Sequence, residues 1–584
     1  MCGIISIVGK DAAKTSLDGA LAALSHRGPD DHGTMVFEGA KLGQTRLAII
    51  DLSPSGHQPM KDNASDVAIT FNGEIYNYKE LRAELEARGH HFSTQSDTEV
   101  ILKAYKEYGD DCPKYLDGMF AFSIWDAQKK KLFFAKDRFG KKPLYYAHTD
   151  SGSLVVGSEI KALIAAGVKP VIDPQGIDLF LTLMYVPPWR TIYKNVHTFV
   201  GGYSAVYADG KLTLRQYWKL EHRPIQISYA DAKEEVRRLF ADAVRKRLVA
   251  DVEIGSFLSG GVDSTLVTAY AQKLIDRPLK TFSLGYGDLI DELPYAEEAA
   301  KTIGTDHHTL QADASLTHEL EAALSYYDEP HADTASFPQH LLSKETVKSV
   351  KVALSGEGGD EMFLGYGTYF SYFHTNKLSR LRNALFSNQY KDFIRQTTMF
   401  PKSLRKKLWK DPSSLSAEPI DLLIKDATGS HVERMDLFDI TTHMPGLLLT
   451  KVDRMSMMHG LEVRCPFLDY RLAEFGFNLP EEYKTNRGTG KLILKDILAE
   501  IMPREFVDRK KQGFGAPVRK WLQEEKMRAY VEKQFEPGAH IYAYLKETAV
   551  RQFISNVYTT EHPKGFYRLW TLLCLEIWLK KHAA

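Results

Sequence analysis

A cysteine follows the initiating methionine, and the chain opens Met1-Cys2-Gly3-Ile4. Once Met1 is trimmed, Cys2 carries both a nucleophilic thiol and a free α-amine, so attacking group and proton relay share one residue. Three further segments carry groups that suit such a nucleophile. Arg46 offers a planar fork for a carboxylate. Asn72 and Gly73, inside Phe71-Asn-Gly-Glu-Ile-Tyr-Asn77, read as a turn whose side-chain amide and backbone N–H can hold an oxyanion. Glu74 and Asp97 can accept hydrogen bonds from an ammonium group. A ligand with an α-carboxylate, an α-ammonium and a scissile amide is an amino acid of the glutamine type. Taken singly, each residue is equally a turn, a surface cation or a helix cap; together they describe an amide hydrolase.

A second chemistry begins near residue 254. Ile254-Gly-Ser-Phe-Leu-Ser-Gly-Gly-Val-Asp-Ser-Thr265 reads as strand, glycine turn and helix start, a ready site for phosphate. It lacks the Lys-Ser/Thr pair of a Walker A loop. Ser259-Gly260-Gly261-Val262-Asp263-Ser264 suits instead a pyrophosphate leaving group, with Asp263 able to hold Mg²⁺. Ser355-Gly-Glu-Gly-Gly-Asp-Glu361 follows the apolar run Val350–Leu354; Asp360 is a second candidate Mg²⁺ ligand and Glu357 is placed for proton transfer. Lys491 and Arg464 are candidate cations for charge developing on phosphate. Lys451, Asp453 and Arg454 lie near Arg464 in sequence and read equally well as an ion-pair cluster.

Two kinds of scaffold must carry these groups. The first ~215 residues read as short strands separated by Gly/Asp/Asn turns, among them Ile4–Val8, Val67–Phe71, Ala121–Trp125, Lys131–Lys136 and Leu154–Ser158. Helical spacing occurs at Ser16–Leu24 and Thr98–Tyr108, which together predict an α+β layered domain. The pattern changes between Tyr217 and Asp231. Ser228 is a candidate N-cap, helical periodicity runs to about Leu248, and strand (Ile254–Leu258), helix (Ser264–Leu274) and strand (Lys280–Leu284) follow. That alternation predicts a doubly wound parallel sheet. From about Tyr366 the chain reads as mostly helical, and the basic stretch Arg380–Lys410 reads as a solvated helical face.

At 584 residues the chain calls for two or three domains. Lys+Arg and Asp+Glu each number 75, so neither a nucleic-acid stripe nor an anionic-membrane binder is indicated. Four cysteines (Cys2, Cys112, Cys465, Cys574) form neither a CxxC pair nor a disulfide framework, which predicts a reducing, cytoplasmic setting. No leader pattern precedes Cys2. Phe566–Leu579, interrupted by Arg568 and Glu576, reads as a packed core helix.

Cys2-Gly-Ile, His26-Arg-Gly-Pro-Asp30, the Arg46 segment, Asn72–Asn77, Ser259–Ser264, Ser355–Glu361 and Arg464-Cys-Pro-Phe-Leu-Asp469 occur in this order over nearly the whole length. In that set the chain resembles glutamine-hydrolysing asparagine synthetases. The resemblance implies a class II glutaminase domain over 1–217, an Ntn-hydrolase-like αββα sandwich. It also implies an ATP-pyrophosphatase-type synthetase domain over 228–584, of the adenine nucleotide alpha-hydrolase kind. By the same resemblance Arg46, the Ile49 backbone, Gly73, Glu74 and Asp97 bind glutamine, and Asn72 with Gly73 forms the oxyanion hole. Leu258, Leu284, Ser355 and Gly356 match adenosine-contacting positions, Leu284 most loosely. The implied reaction uses ATP and Mg²⁺ to turn a carboxylate into an acyl-adenylate, which ammonia converts to the amide; a homodimer is the family expectation. Aspartate is the default acceptor, and a cell-wall or polysaccharide precursor is the alternative. A β-lactam-forming branch lacks the N-terminal nucleophile, so Cys2 argues against it. Retention of Cys2, the Asn-Gly pair and both acidic loop residues argues against a glutamine- or ATP-sensing pseudoenzyme. A stand-alone glutaminase is a further alternative, which would show ATP-independent hydrolysis and no pyrophosphate.

Overall fold

The computed structural model describes residues 1–62, 65–287, 292–312, 317–367, 393, 397–415, 431–486, 488–509 and 513–582. Two six-stranded antiparallel sheets face each other in the N-terminal part. One runs Val196–Thr198, Tyr145–His148, Leu154–Gly157, Gly3–Val8, Ala40–Arg46, Asp31–Phe37; the other runs Lys211–Gln216, Tyr203–Ala208, Lys131–Lys136, Gly118–Asp126, Val67–Ile75, Met60–Asp62. Alternating side chains such as Ile4, Val8, Leu42, Ala121 and Phe134 fill the layer between them. Buried polar clasps also cross it: Gln44 bonds both main-chain groups of Phe71, and the Ser6 and Ser123 hydroxyls meet at 2.6 Å. Helices Asp18–Leu24 and Ile160–Ala165 cover the first sheet and Asp97–Tyr108 the second, which makes an αββα sandwich.

The expected strands are present, and one runs further than its sequence suggests. Phe71–Ile75 is not a turn. It continues the Val67–Ile75 strand in unbroken register with Gly118–Asp126, Asn72 opposite Ala121 and Gly73 opposite Phe120. Gly73 permits this: its φ is +149°, and a Cβ there would overlap the Met119 carbonyl oxygen. The Asn-Gly pair, a turn signal by composition, here keeps a polar segment inside a ladder.

Ser228 caps the helix Tyr229–Arg247, accepting a hydrogen bond from the Asp231 N–H. Beyond it lies a five-stranded, fully parallel sheet in the order Asp306–Gln311, Lys280–Gly285, Ile254–Phe257, Val352–Leu354, Glu462–Arg464. The chain winds outward from Ile254–Phe257 in one direction, then returns to Val352–Leu354 on its other side. That reversal is a topological switch point, where a crevice opens at the carboxyl ends of the strands. Helix Pro563–His582 is buried from Phe566 through Leu579, apart from exposed Tyr567 and half-buried Arg568, as its composition predicts for a core helix. Among the described residues no helix is long and apolar enough to cross a membrane. Most of Arg380–Lys410 lies outside the described residues; Lys402–Leu408 within it is helical.

Candidate active sites

Cys2 starts the central strand of the first sheet and is buried. Its N–H donates to Asn72 Oδ1 at 3.0 Å, its carbonyl accepts from Arg27 Nε at 3.1 Å, and the Gly3 N–H is tied to Thr45 Oγ1. Burial pushes the thiol above its ordinary pKa; the chain's terminal ammonium, a hydrogen bond from the Leu47 backbone and the nearby Arg46 oppose that rise. Asn72 is fixed through its oxygen, yet its Nδ2 is buried and bonds nothing. A buried amide donor without a partner costs ~1–3 kcal/mol, so this group is poised to receive an acceptor beside the thiol.

Glu74 and Asp97 are both brought to this pocket. Asp97 Oδ2 accepts the Ile75 N–H at 3.0 Å, and burial raises its carboxyl to about 6. Burial, with the charges of Glu462 and Asp97, pushes Glu74 well above the carboxylate range; its Oε2 makes no hydrogen bond. Arg46 is close enough to lower the thiol pKa, but its Nη2 donates to the Ile50 and Asp51 carbonyls (3.2 and 2.6 Å). It braces the loop after its strand rather than presenting a free fork. The Ile49 carbonyl accepts the Asp251 N–H at 2.9 Å, and the Asp51 N–H donates to Asp251 Oδ2, so a residue of the second domain holds this loop.

The second centre sits at the switch point. Ser259–Ser264 follows strand Ile254–Phe257, and Ser355–Glu361 follows its neighbour Val352–Leu354. Gly260 takes φ +71°, and Ser264 Oγ bonds the Ser259 N–H, which closes a tight loop before helix Val262–Gln272. No side chain caps that helix at Gly261, so its first amides face the crevice. The two loops touch: a Cβ on Gly356 would lie 2.8 Å from Asp263 Cβ and 2.9 Å from the Ser264 N. Leu258 and Leu284 are buried on adjacent strands, and Ser355 is tied by its N–H to the Arg464 carbonyl at 2.9 Å.

Lys491 joins the loops by bridging Asp263 and Asp360, the latter at 2.8 Å. Burial opposes its charge, but the two carboxylates outweigh it and raise its pKa above the ordinary lysine value. It holds φ +59°, a strained conformation for a lysine of the kind concentrated at functional sites. Asp263 and Asp360 offer the hard oxygen donors that suit Mg²⁺, which takes one or two carboxylates and completes its shell with substrate phosphates. Among the described residues no third His, Cys, Asp or Glu joins them. Glu357 pairs with Lys451 at 3.2 Å, and Lys451 also reaches Asp333 at 3.5 Å.

Arg464 is corrected by its geometry. Its backbone serves the nucleotide-side loop, but its guanidinium turns the other way, to Glu462 (2.6 Å), the Arg247 and Val249 carbonyls, and Glu74 at 3.7 Å. Side chains of a strand alternate in direction from its main-chain bonds, so proximity in sequence to the second loop did not bring the cation there. The Lys451, Asp453, Arg454 trio also divides. Lys451 joins Glu357, whereas Asp453 binds Arg27 (2.8 and 3.1 Å) and Arg454 binds Glu159 and Asp328 in a buried network between the domains.

Glu462 was not signalled by any motif. It lies on the edge strand of the parallel sheet, 461 residues from Met1, and accepts the Met1 ammonium at 3.0 Å. Burial alone would raise its pKa; the Met1 ammonium, then Arg464 and Lys142, hold it below the usual value. A small cavity lined by Met1, Met119, Val452, Val463 and Cys465 lies at this junction.

An αββα sandwich with a buried cysteine next to its terminus, followed by a parallel sheet with two glycine loops at its switch point, makes a two-part architecture with a candidate centre in each part. The family model for a glutamine amidotransferase domain matches residues 1–218, and that for asparagine synthase matches 235–580. The chain belongs to the asparagine synthase family. It is 33% identical to asparagine synthetase [glutamine-hydrolyzing] 1 of Bacillus subtilis, over 99% of this chain and 96% of that one. It is 32% identical to a putative asparagine synthetase of Mycobacterium bovis (99% and 97% covered) and 28% identical to amidase chry2 of Gibberella zeae (93% and 88% covered).

Proposed function

We propose that this chain makes asparagine from aspartate, drawing nitrogen from glutamine and energy from ATP. With Met1 removed, the free α-amine of Cys2 takes the thiol proton as sulfur attacks the glutamine amide carbon. It passes that proton to the nitrogen as the C–N bond breaks, ammonia leaves, and water hydrolyses the thioester to glutamate. The developing oxyanion takes its hydrogen bond from Asn72 Nδ2 and a second from the Gly73 N–H. Glu74 and Asp97 receive the substrate ammonium, whose charge favours their ionised forms.

At the switch point the aspartate side-chain carboxylate attacks the α-phosphorus of ATP and pyrophosphate departs. The loop amides at Ser259–Ser264 and Lys491 bear the charge that develops on the phosphates. Asp263 and Asp360 would hold Mg²⁺, which screens the polyphosphate. Ammonia then attacks the acyl-adenylate carbonyl, with Glu357 positioned by Lys451 to take the proton, and AMP leaves. An enclosed route between the centres would keep ammonia unprotonated. The small cavity at Met119, Val452, Val463 and Cys465, also lined by Lys141, Lys142 and Asp453, lies at the junction such a route would cross.

The observation that carries this reading is the unpartnered Asn72 amide beside Cys2, within the same fold as two glycine loops clasped by one lysine. The amidase name of one relative favours testing a second reading, in which the same chemistry amidates another carboxylate. Pyrophosphate release from Mg-ATP and glutamine, measured with and without aspartate, separates them. Aspartate-dependent pyrophosphate matched by new asparagine is expected. Glutaminase activity with no response to aspartate would transfer the reading to a different acceptor acid.

A further inference from the structure

A cavity of about 510 Å³ lies between the two domains, apart from both centres. Neither Cys2, Asn72 and Asp97 nor either glycine loop contributes to its lining. Its walls are aromatic and apolar from both sides: Phe139 and Trp218 from the sandwich and linker, Phe438 and Pro445 from the helical part, with Trp189 exposed at the rim. Phe139 and Trp218 pack edge to face at 5.0 Å, which gives that wall a fixed shape.

The charges on this lining are unbalanced. Asp453 is already engaged by Arg27, and Glu329 accepts the Ile192 N–H at 2.7 Å while burial raises its carboxyl to about 8. It therefore faces the cavity at neutral pH as a neutral acid, able to donate a hydrogen bond. Lys136 is 8% exposed, and its ammonium makes no ion pair or hydrogen bond among the described residues. Burial lowers its pKa to about 8, against the attraction of Asp137 and Asp453. Arg434 Nε is buried without a hydrogen-bond partner. A buried donor left unmatched is costly, and among the described residues nothing on the lining accepts a hydrogen bond from Arg434 Nε or from the Lys136 ammonium.

We propose that this interdomain cavity binds a small organic anion, a carboxylate or phosphate group on a planar apolar body, with Lys136 and Arg434 on the anion and the Phe139–Trp218 wall against the body. The volume falls in the range of small-molecule sites, and the composition follows their pattern of apolar walls with few convergent polar groups. Lys141, Leu449 and Asp453 line both this cavity and the small one that reaches Met1. The occupant thus sits against the joint through which the two centres meet. This assignment stands independently of the acceptor acid used by the enzyme.

The test is fluorescence titration of the full chain with 8-anilinonaphthalene-1-sulfonate and with its neutral analogue N-phenyl-1-naphthylamine. The expected result is one saturable sulfonate site per chain, weakened about tenfold by Lys136→Met and restored by Lys136→Arg, with the neutral probe about tenfold weaker. Trp189→Ala, at the exposed rim, weakens it in parallel and serves as the second variant should Lys136→Met fail to fold. Displacement by benzoate or by phenyl phosphate identifies which anion the site prefers. Binding that does not saturate, equals that of the neutral probe, is indifferent to both substitutions, or is displaced by neither anion would overturn the proposal.

Discussion

Around Cys2 the carboxylates outweigh the arginine that reaches them, Arg464 at 3.7 Å from Glu74, whereas at the switch point Lys491 bridges both Asp263 and Asp360. Glu74 and Asp97 are buried and raised in pKa, and Glu74 Oε2 accepts no hydrogen bond. Under the proposed function, a substrate ammonium would give the first pocket favourable charge pairing. The second would exchange an internal ion pair for new contacts, Asp263 and Asp360 holding Mg²⁺ and Lys491 meeting phosphate. One strand serves both: Glu462–Arg464 holds the Ser355 loop with its backbone and faces Glu74 with its side chains.

Substitutions that separate the two centres test this contrast. The largest effect is expected from Lys491→Met. It leaves Asp263 and Asp360 facing each other and removes a cation from the phosphates, so synthesis falls by about 10³-fold or more with either glutamine or ammonia as donor. Glutamate release from glutamine persists, as a coupled assay of both products would record. Asn72→Ala removes one oxyanion donor and is expected to lower the glutaminase kcat by about 10²–10³-fold, leaving ammonia-dependent synthesis unchanged.

Stability gives a third reading. Asp453→Ala removes one of the two carboxylates paired with the fully buried Arg27, which keeps Glu159, and its denaturation midpoint should fall by the equivalent of ~1.5–3 kcal/mol. An unaltered midpoint would mean the interdomain network adds nothing.

The smallest effect is one of pH. Asp97 titrates at about 6 in the folded chain against 3.8 as its ordinary value. Its raised pKa means the folded state holds the proton more tightly, so its contribution to stability is present below pH 3.8 and declines as pH rises to about 6. For binding the sign is opposite, because the substrate ammonium prefers the ionised form. The KM for glutamine should therefore rise as pH falls through about 6, and Asp97→Asn should flatten that dependence while raising KM about tenfold.

Groups whose chemistry is local were legible in the sequence. Cys2 beside the terminus, Asn72-Gly73 and the two glycine loops are each contiguous in the chain, so the sequence alone keeps their groups together. Phe71–Ile75 was misread because a dipeptide that favours turns also tolerates the positive φ that this ladder requires at Gly73. Arg464 was assigned to phosphate because linear position does not reveal which way a strand side chain points. Glu462 and Glu159 belong to no motif, and Arg27, inside His26-Arg-Gly-Pro-Asp30, shows no role by its sequence position. Their partners lie hundreds of residues away, and no spacing rule connects Arg27 with Asp453 or Met1 with Glu462.

The central claim is that one chain makes ammonia at Cys2 and spends ATP elsewhere. Its most direct test is asparagine formation by Cys2→Ala, with glutamine and then with ammonium chloride as nitrogen source. The account predicts no product from glutamine and a rate within about twofold of the parent from ammonia. Asparagine formed from glutamine by this variant would contradict the assignment of the nucleophile. Loss of both rates in a folded protein would contradict the separation of the two centres.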